Sequence, residues 1–270
     1  MKLTLCGHDY RYACEQMLLT LFPEQRPVYE GQEENEVRLT LRAGERWLTA
    51  GAKLIWQGTT CRAVARARQS ELTGEAIADD RVKQRILKLA FYRAGCAALG
   101  KEPPWGALTG VRPVKLPTKA LLAGKSEQQA RRVLTGTYRV SPERAELAMD
   151  CARASVKLLG DLKPEEVSLY VGIPFCPTRC AYCSFVSADV GKTLGMVEPF
   201  LDCLEQELEA MGKNLGKWGK TLRTVYIGGG TPTTVTAPQL DRLLAAMKEK
   251  LDLSGCVEFP DKVNDFMGKG

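Results

Sequence analysis

At 270 residues, with 44% hydrophobic and 26% charged residues, the chain has the size and composition of two globular domains or one large one. No apolar run approaches the roughly 18 residues needed to span a bilayer. The stretch Met1–Tyr10 turns polar too early for a secretory segment, so a cytoplasmic protein with no membrane partner is expected. The formal charge of +6 is spread along the chain, with no dense basic run interleaved with aromatics, so no nucleic-acid partner is expected.

The N-terminal third mixes strand and helix signals. Between Asp9 and Phe22, Ala13, Met17, Leu18 and Leu21 recur at helical spacing before Pro23, with Asp9 placed to cap the helix. Val37–Leu41, Trp47–Ala50 and Cys61–Ala67 alternate apolar and polar residues between Gly-containing turns, which predicts a small antiparallel sheet with one solvated face. From Asp79 a helical period runs to about Leu99, where Gly100 is a C-terminal stop. A Pro-rich connection, 102–106, leads to three more helices at about 116–122, 126–134 and 141–159, the last opening on Ser141-Pro142. Gly160–Pro164 reads as a domain boundary, giving an N-terminal α+β domain over 1–162.

Beyond it, strand and helix alternate. Strands are expected at Val167–Val171, Thr224–Ile227 and the beginning of a third at Gly255–Phe259, with helices at Val197–Met211 and Pro238–Leu251. This order makes βαβ units on a parallel sheet, whose chemistry gathers at the C-terminal ends of the strands.

Directly after the first of these strands come Cys176, Cys180 and Cys183, spaced C-x₃-C-x₂-C. Three thiolates can hold three irons of a [4Fe–4S] cluster and leave the fourth iron open for a small molecule. A closed zinc site competes, but it needs four ligands. No further Cys or His follows within fifteen residues, and the one histidine in the chain is His8. Inert thiols are the third reading. The other seven cysteines are scattered singly and read as small buried hydrophobes in a reducing compartment.

After the second strand comes Gly228-Gly-Gly-Thr-Pro-Thr233, which lets backbone approach a ligand closely. It lacks the lysine of a phosphate-binding loop and the spacing of a dinucleotide fingerprint. Taken alone, it reads as a strained turn or a binding loop.

Together the two loops resemble the radical S-adenosylmethionine superfamily. Leu169–Cys176 and Gly228–Thr233 are similar to the oxygen-independent coproporphyrinogen III oxidase family, and Trp105–Lys115 is similar to its HemZ-like branch, the coproporphyrinogen dehydrogenases. The resemblance covers residues 1–259. It implies that Cys176, Cys180 and Cys183 ligate a [4Fe–4S] cluster and that Gly229, Gly230 and Thr231 contact S-adenosylmethionine. Tyr170 matches a tyrosine near the cofactor, or else is a strand-end core aromatic. Tyr182 matches the position whose backbone meets the adenine.

The implied activity is oxidative decarboxylation of the propionates of a tetrapyrrole, coproporphyrinogen III, through a 5′-deoxyadenosyl radical. An electron donor such as flavodoxin or ferredoxin is implied with it. The chain departs from the family at Gly172, where many relatives carry histidine, and in having no fourth cysteine after Cys183. The family's six strand–helix units imply an incomplete radical S-adenosylmethionine (β/α) partial barrel over 163–259, followed by a non-family tail, 260–270. A truncated or frameshifted form with a partly built cofactor site is therefore expected.

Two alternatives stand beside the enzyme: a heme-binding chaperone of the same family, and a catalytically inactive fragment. Arg112 is a candidate carboxylate ligand, or a buried loop arginine satisfying carbonyls. His8 is a candidate ligand, or a hydrogen-bonded surface histidine.

Overall fold

The computed structural model describes residues 1–110, 112–178, 180, 183 and 188–259. The chain divides into two compact units at Asp161/Leu162.

The first unit opens on a strand that the sequence pattern concealed. Lys2–Cys6 (β1) runs parallel to Glu36–Ala43 (β2), with Lys2 opposite Glu36 and Cys6 opposite Thr40. Trp47–Trp56 (β3) and Thr59–Arg68 (β4) continue antiparallel, so the sheet order is β1-β2-β3-β4. The sheet is therefore mixed, not purely antiparallel. Helix α1, Arg11–Leu21, carries the chain from β1 back to lie beside β2, which makes that pair a crossover. Asp9 does not cap α1: the N-cap is Tyr10, with no side-chain capping bond.

Helix α2, Ala76–Leu99, buries Ile86, Leu87, Ala90, Phe91 and Ala94 in one core cluster with Ala50, Ala52, Ala65 and Ala67 on the sheet's inner face. Those alanines leave room for a helix backbone to lie close to the strands. The helix ends at Gly100, whose φ of 65° is a left-handed C-cap that a Cβ would strain. The helices α3 (Lys115–Leu122), α4 (Glu127–Arg132) and α5 (Pro142–Gly160) follow, with a π turn at Val133–Thr137. Ser126 and Ser141 cap α4 and α5 by accepting the N–H of Gln129 and Arg144.

In the second unit, Glu166–Ile173 (β5) pairs in parallel with Thr221–Gly229 (β8). Between them lie Phe175–Cys176 (β6), Ala188–Asp189 (β7), the short helix α6 (Val190–Thr193) and the long helix α7 (Val197–Lys217). Helix α8, Ala237–Lys250, follows β8 and begins with a Thr236/Gln239 capping box. Val171, Ile173, Val225 and Ile227 share one core with Leu201, Leu204 and Leu208 of α7 and Leu240, Leu244 and Met247 of α8. Arg242 on α8 ties the helices from outside by pairing with Glu198, Asp202 and Glu205, one stripe of α7.

The third strand shrinks to one parallel bridge, Thr224 with Glu258, where Val225 N–H donates to the Glu258 carbonyl at 2.9 Å. The described residues thus form two βα units on a two-stranded parallel sheet, which by itself is not a barrel. The tail 260–270 lies outside the described residues. Among the described residues, no helix is long and apolar enough to cross a membrane.

Two expectations follow from burial in the first unit. His8 has a buried Nε2 without a hydrogen-bond partner, and desolvation holds its pKa below 6.5 against the opposing pull of the Leu39 backbone and Asp9. The unfolded chain therefore takes up a proton that the folded unit resists. Stability should fall as pH drops below 6.5 towards the lowered native value, and His8→Gln should flatten that slope in urea melts at stepped pH. Cys14 is buried and its thiol is pushed up to about 12, first by desolvation, so native alkylation should spare it. Cys151 and Cys203 are exposed rather than buried as expected from their helical context, and they should react first in a mass-spectrometric time course.

Candidate functional site

Strand β5 delivers the cysteine loop. After Ile173 and Pro174, Phe175 and Cys176 pair in parallel with Ala188 and Asp189, and Ala188 N–H donates to the Pro174 carbonyl at 2.7 Å. The two ends of the segment that carries Cys180 and Cys183 are therefore held side by side. Cys176 is buried, Cys183 is half-buried and Cys180 is exposed. Cys183 N–H donates to the Cys180 carbonyl at 3.0 Å, which holds those two residues in one turn. Among the described residues, no three His, Cys, Asp or Glu side chains are gathered into a metal-holding group. The loop thus supplies three thiols but does not converge them. Tyr182 lies outside the described residues.

The glycine loop is locked onto the start of this segment. Gly230 N–H donates to the Ile173 carbonyl and Thr231 N–H to the Phe175 carbonyl, each at 2.8 Å. Thr231 Oγ1 lies 3.6 Å from Cys176 Sγ, within reach of a hydroxyl-to-sulfur hydrogen bond. The approach requires glycine. A Cβ at Gly230 would stand 2.6 Å from Cys176 Sγ and 2.7 Å from the Phe175 carbonyl oxygen. At Gly229, where φ is 115°, a Cβ would fall within 2.5–3.0 Å of the Ile173 backbone. Because two N–H groups of this loop are already engaged, it does not form a nest of free donors for phosphate, in keeping with its lack of a nucleotide motif.

The outward face of β5 and β8 leads to the same loops in three rungs. Thr224 Oγ1 donates to Ser168 Oγ at 2.8 Å; Tyr170 stacks on Tyr226 with centroids 5.8 Å apart and planes at 24°; and Gly172 pairs with Gly228. Tyr170 is 57% exposed and Tyr226 64%, so Tyr170 is not a core aromatic. Parallel strands are usually covered on both faces, which makes two open aromatics on this one informative. Tyr226 was not singled out in the sequence; the signal was its register, two residues before the glycine loop, as Tyr170 stands two before Gly172. Phe175, edge-on to Phe200 at 5.4 Å, also lines an apolar cleft of about 360 Å³ with Met196, Pro199 and Cys203.

The other two candidates, Arg112 and His8, belong to the first unit. Arg112 is exposed, not buried against loop carbonyls. His8 Nδ1 accepts the Tyr10 N–H at 3.3 Å.

Over part of its length the chain is similar in sequence to HemZ, HemW and oxygen-independent coproporphyrinogen III oxidase, names of the radical S-adenosylmethionine family. Over 153 residues (56% of this chain, 30% of the relative) it is 39% identical to the oxygen-independent coproporphyrinogen-III oxidase-like protein HemZ of Bacillus subtilis. It is 40% identical over 97 residues to the heme chaperone HemW of Lactococcus lactis (36% of this chain, 24% of the relative). It is also 34% identical over 87 residues to the oxygen-independent coproporphyrinogen III oxidase of Pseudomonas aeruginosa (32% of this chain, 18% of the relative). The matches span less than a third of the length of these relatives. No family model matches the chain, and no solved structure does.

Proposed function

We propose that this chain carries the cofactor-binding part of a radical S-adenosylmethionine protein of tetrapyrrole metabolism, with Cys176, Cys180 and Cys183 as ligands of a [4Fe–4S] cluster. The observation that carries this reading is the docking of Gly230 and Thr231 onto Phe175 and Cys176. A three-thiol donor set suits iron–sulfur ligation. A glycine cradle with no room for a Cβ beside one of those thiols suits close approach of a second molecule. When bound, the cluster and S-adenosylmethionine supply reductive cleavage of the sulfonium and hydrogen abstraction from a substrate.

The chain's own residues have distinct parts in this reading. Cys176 anchors the cysteine loop to the end of the sheet, and Cys180 and Cys183 complete the donor set. The Thr231 hydroxyl donates toward Cys176 sulfur and so ties the glycine loop to the cysteine loop. Gly229 and Gly230 keep the second loop close enough to share the first loop's ligand, and Tyr170 and Tyr226 form an aromatic wall beside it that sheds water. Oxidative decarboxylation of coproporphyrinogen propionates is the activity we infer, from the likeness to the coproporphyrinogen oxidase names. The likeness to HemW supports a second reading, heme binding.

Anaerobic reconstitution with iron and sulfide, followed by dithionite and S-adenosylmethionine, separates the two. Formation of 5′-deoxyadenosine together with tripropionate or vinyl products from coproporphyrinogen III supports the enzyme. Heme binding without product supports the chaperone. Failure to retain iron removes both.

A further inference from the structure

The outer face of the N-terminal sheet carries a charge pattern that none of the chemistry above uses. The strand register sets Arg38, Lys53 and Arg62 side by side across β2, β3 and β4. Four residues further along, Arg42 and Arg66 flank Thr49 in a second row, with Thr40, Gly51 and Val64 as a small, flat row between. Both rows of cations are exposed. At the end of the face Arg68 lies over the Trp47 ring, 5.7 Å from its centroid, and Trp47 is 42% exposed.

Neighbouring strands lie only about 4.8 Å apart, and like charges directly opposite one another destabilise a sheet. Among the described residues, Arg38 alone of the two rows meets a carboxylate, Glu36 at 3.9 Å; Arg42, Lys53, Arg62 and Arg66 form no ion pair. Elsewhere Arg131, Arg153, Arg223 and Arg242 sit on carboxylates. A row of three cations, two of them without an ion pair, is thus a local conflict of the kind that marks function. Every second residue on three strands carries the pattern, so no basic run shows in the sequence.

We propose that this face binds single-stranded nucleic acid, with the arginine rows on phosphates and Trp47 stacking on a base. Arginine predominates over lysine, and its planar fork matches a phosphate. A cationic track beside an open aromatic is the means by which single strands are held without sequence preference. Trp47 also lines a cleft of about 490 Å³ with Glu45, Arg46, Arg68, Gln69 and Ser70, room for a base against the ring. A duplex buries its bases and offers Trp47 nothing to stack on. A second copy of this chain would set cations against cations.

The test is fluorescence anisotropy of labelled oligouridine with the full chain over a salt series. With four phosphates engaged, log K should fall against log salt with a slope of about −3, near −0.7 per phosphate. Arg62→Gln/Arg66→Gln should reduce that slope by about 1.4. Trp47→Ala should weaken binding about tenfold at unchanged slope. Melting temperatures should stay level or rise in the arginine variant, because a repulsion is relieved, so lost binding is not lost fold. Absence of binding at low salt, or binding indifferent to Arg62 and Arg66, overturns the proposal. Displacement by polyglutamate as effective as by oligouridine, with Trp47→Ala silent, overturns it in favour of an acidic protein partner.

Discussion

Alanine at Gly229 will destabilise the second unit by about 2–6 kcal/mol and abolish S-adenosylmethionine binding. Two costs combine. At φ 115° an L-residue is strained by on the order of 1–3 kcal/mol. The new Cβ would also press within 2.5–3.0 Å of the Ile173 backbone, where no flexible side-chain end can yield, adding about 1–3 kcal/mol of overpacking. Relief requires β8 to part from β5 at its final rung, and that rung positions Gly230 and Thr231 over Cys176. Gly172→Ala is the control, since its Cβ would meet only the Tyr170 ring edge at 3.2 Å on an open face. Urea melts and equilibrium dialysis of the reconstituted protein check both halves. A Gly229→Ala stability within about 0.5 kcal/mol of the parent, the ordinary range for surface changes, would show that the close approach does not exist.

Cys176→Ala will reduce retained iron by more than about tenfold, at least the loss seen when only an outer-shell partner of a metal site is removed. Cys151→Ala and Cys203→Ala will leave it unchanged, because both are exposed helix residues, on α5 and α7, outside the cysteine loop. Cys176 is a severe case because it serves twice, as a thiol and as the buried base of the loop beneath Gly230 and Thr231. Iron and sulfide assays after gel filtration measure the effect. Equal iron in Cys176→Ala and parent protein would assign the metal to other thiols.

Much of the second unit was readable because its signals are local. The apolar strand Leu169–Val171, the helical period of α7 and the Thr236 cap each lie within a few residues of the element they specify. Strand β1 was missed because Lys2–Cys6 is five residues beside a polar turn, and its partner β2 lies a helix away. The third strand was over-read: Val257–Phe259 has strand-like residues, but only one bridge to Thr224 forms. In the site, the sequence named both loops but not their contact. That Gly230 lies against Cys176 depends on parallel pairing of β5 with β8, a non-local fact. Tyr226 and the cationic rows were hidden for the same reason, since an outward face becomes visible only once the strands are in register.

The central claim is that the docked loops form one site, in which a cluster on the cysteines meets S-adenosylmethionine held by the glycines. Electron paramagnetic resonance of the reconstituted, dithionite-reduced chain, recorded before and after S-adenosylmethionine is added, tests it most directly. The account predicts a cluster signal whose g-values shift when the cofactor is added to the parent chain and stay fixed in Gly230→Ala. A parent spectrum that S-adenosylmethionine leaves unchanged would contradict it.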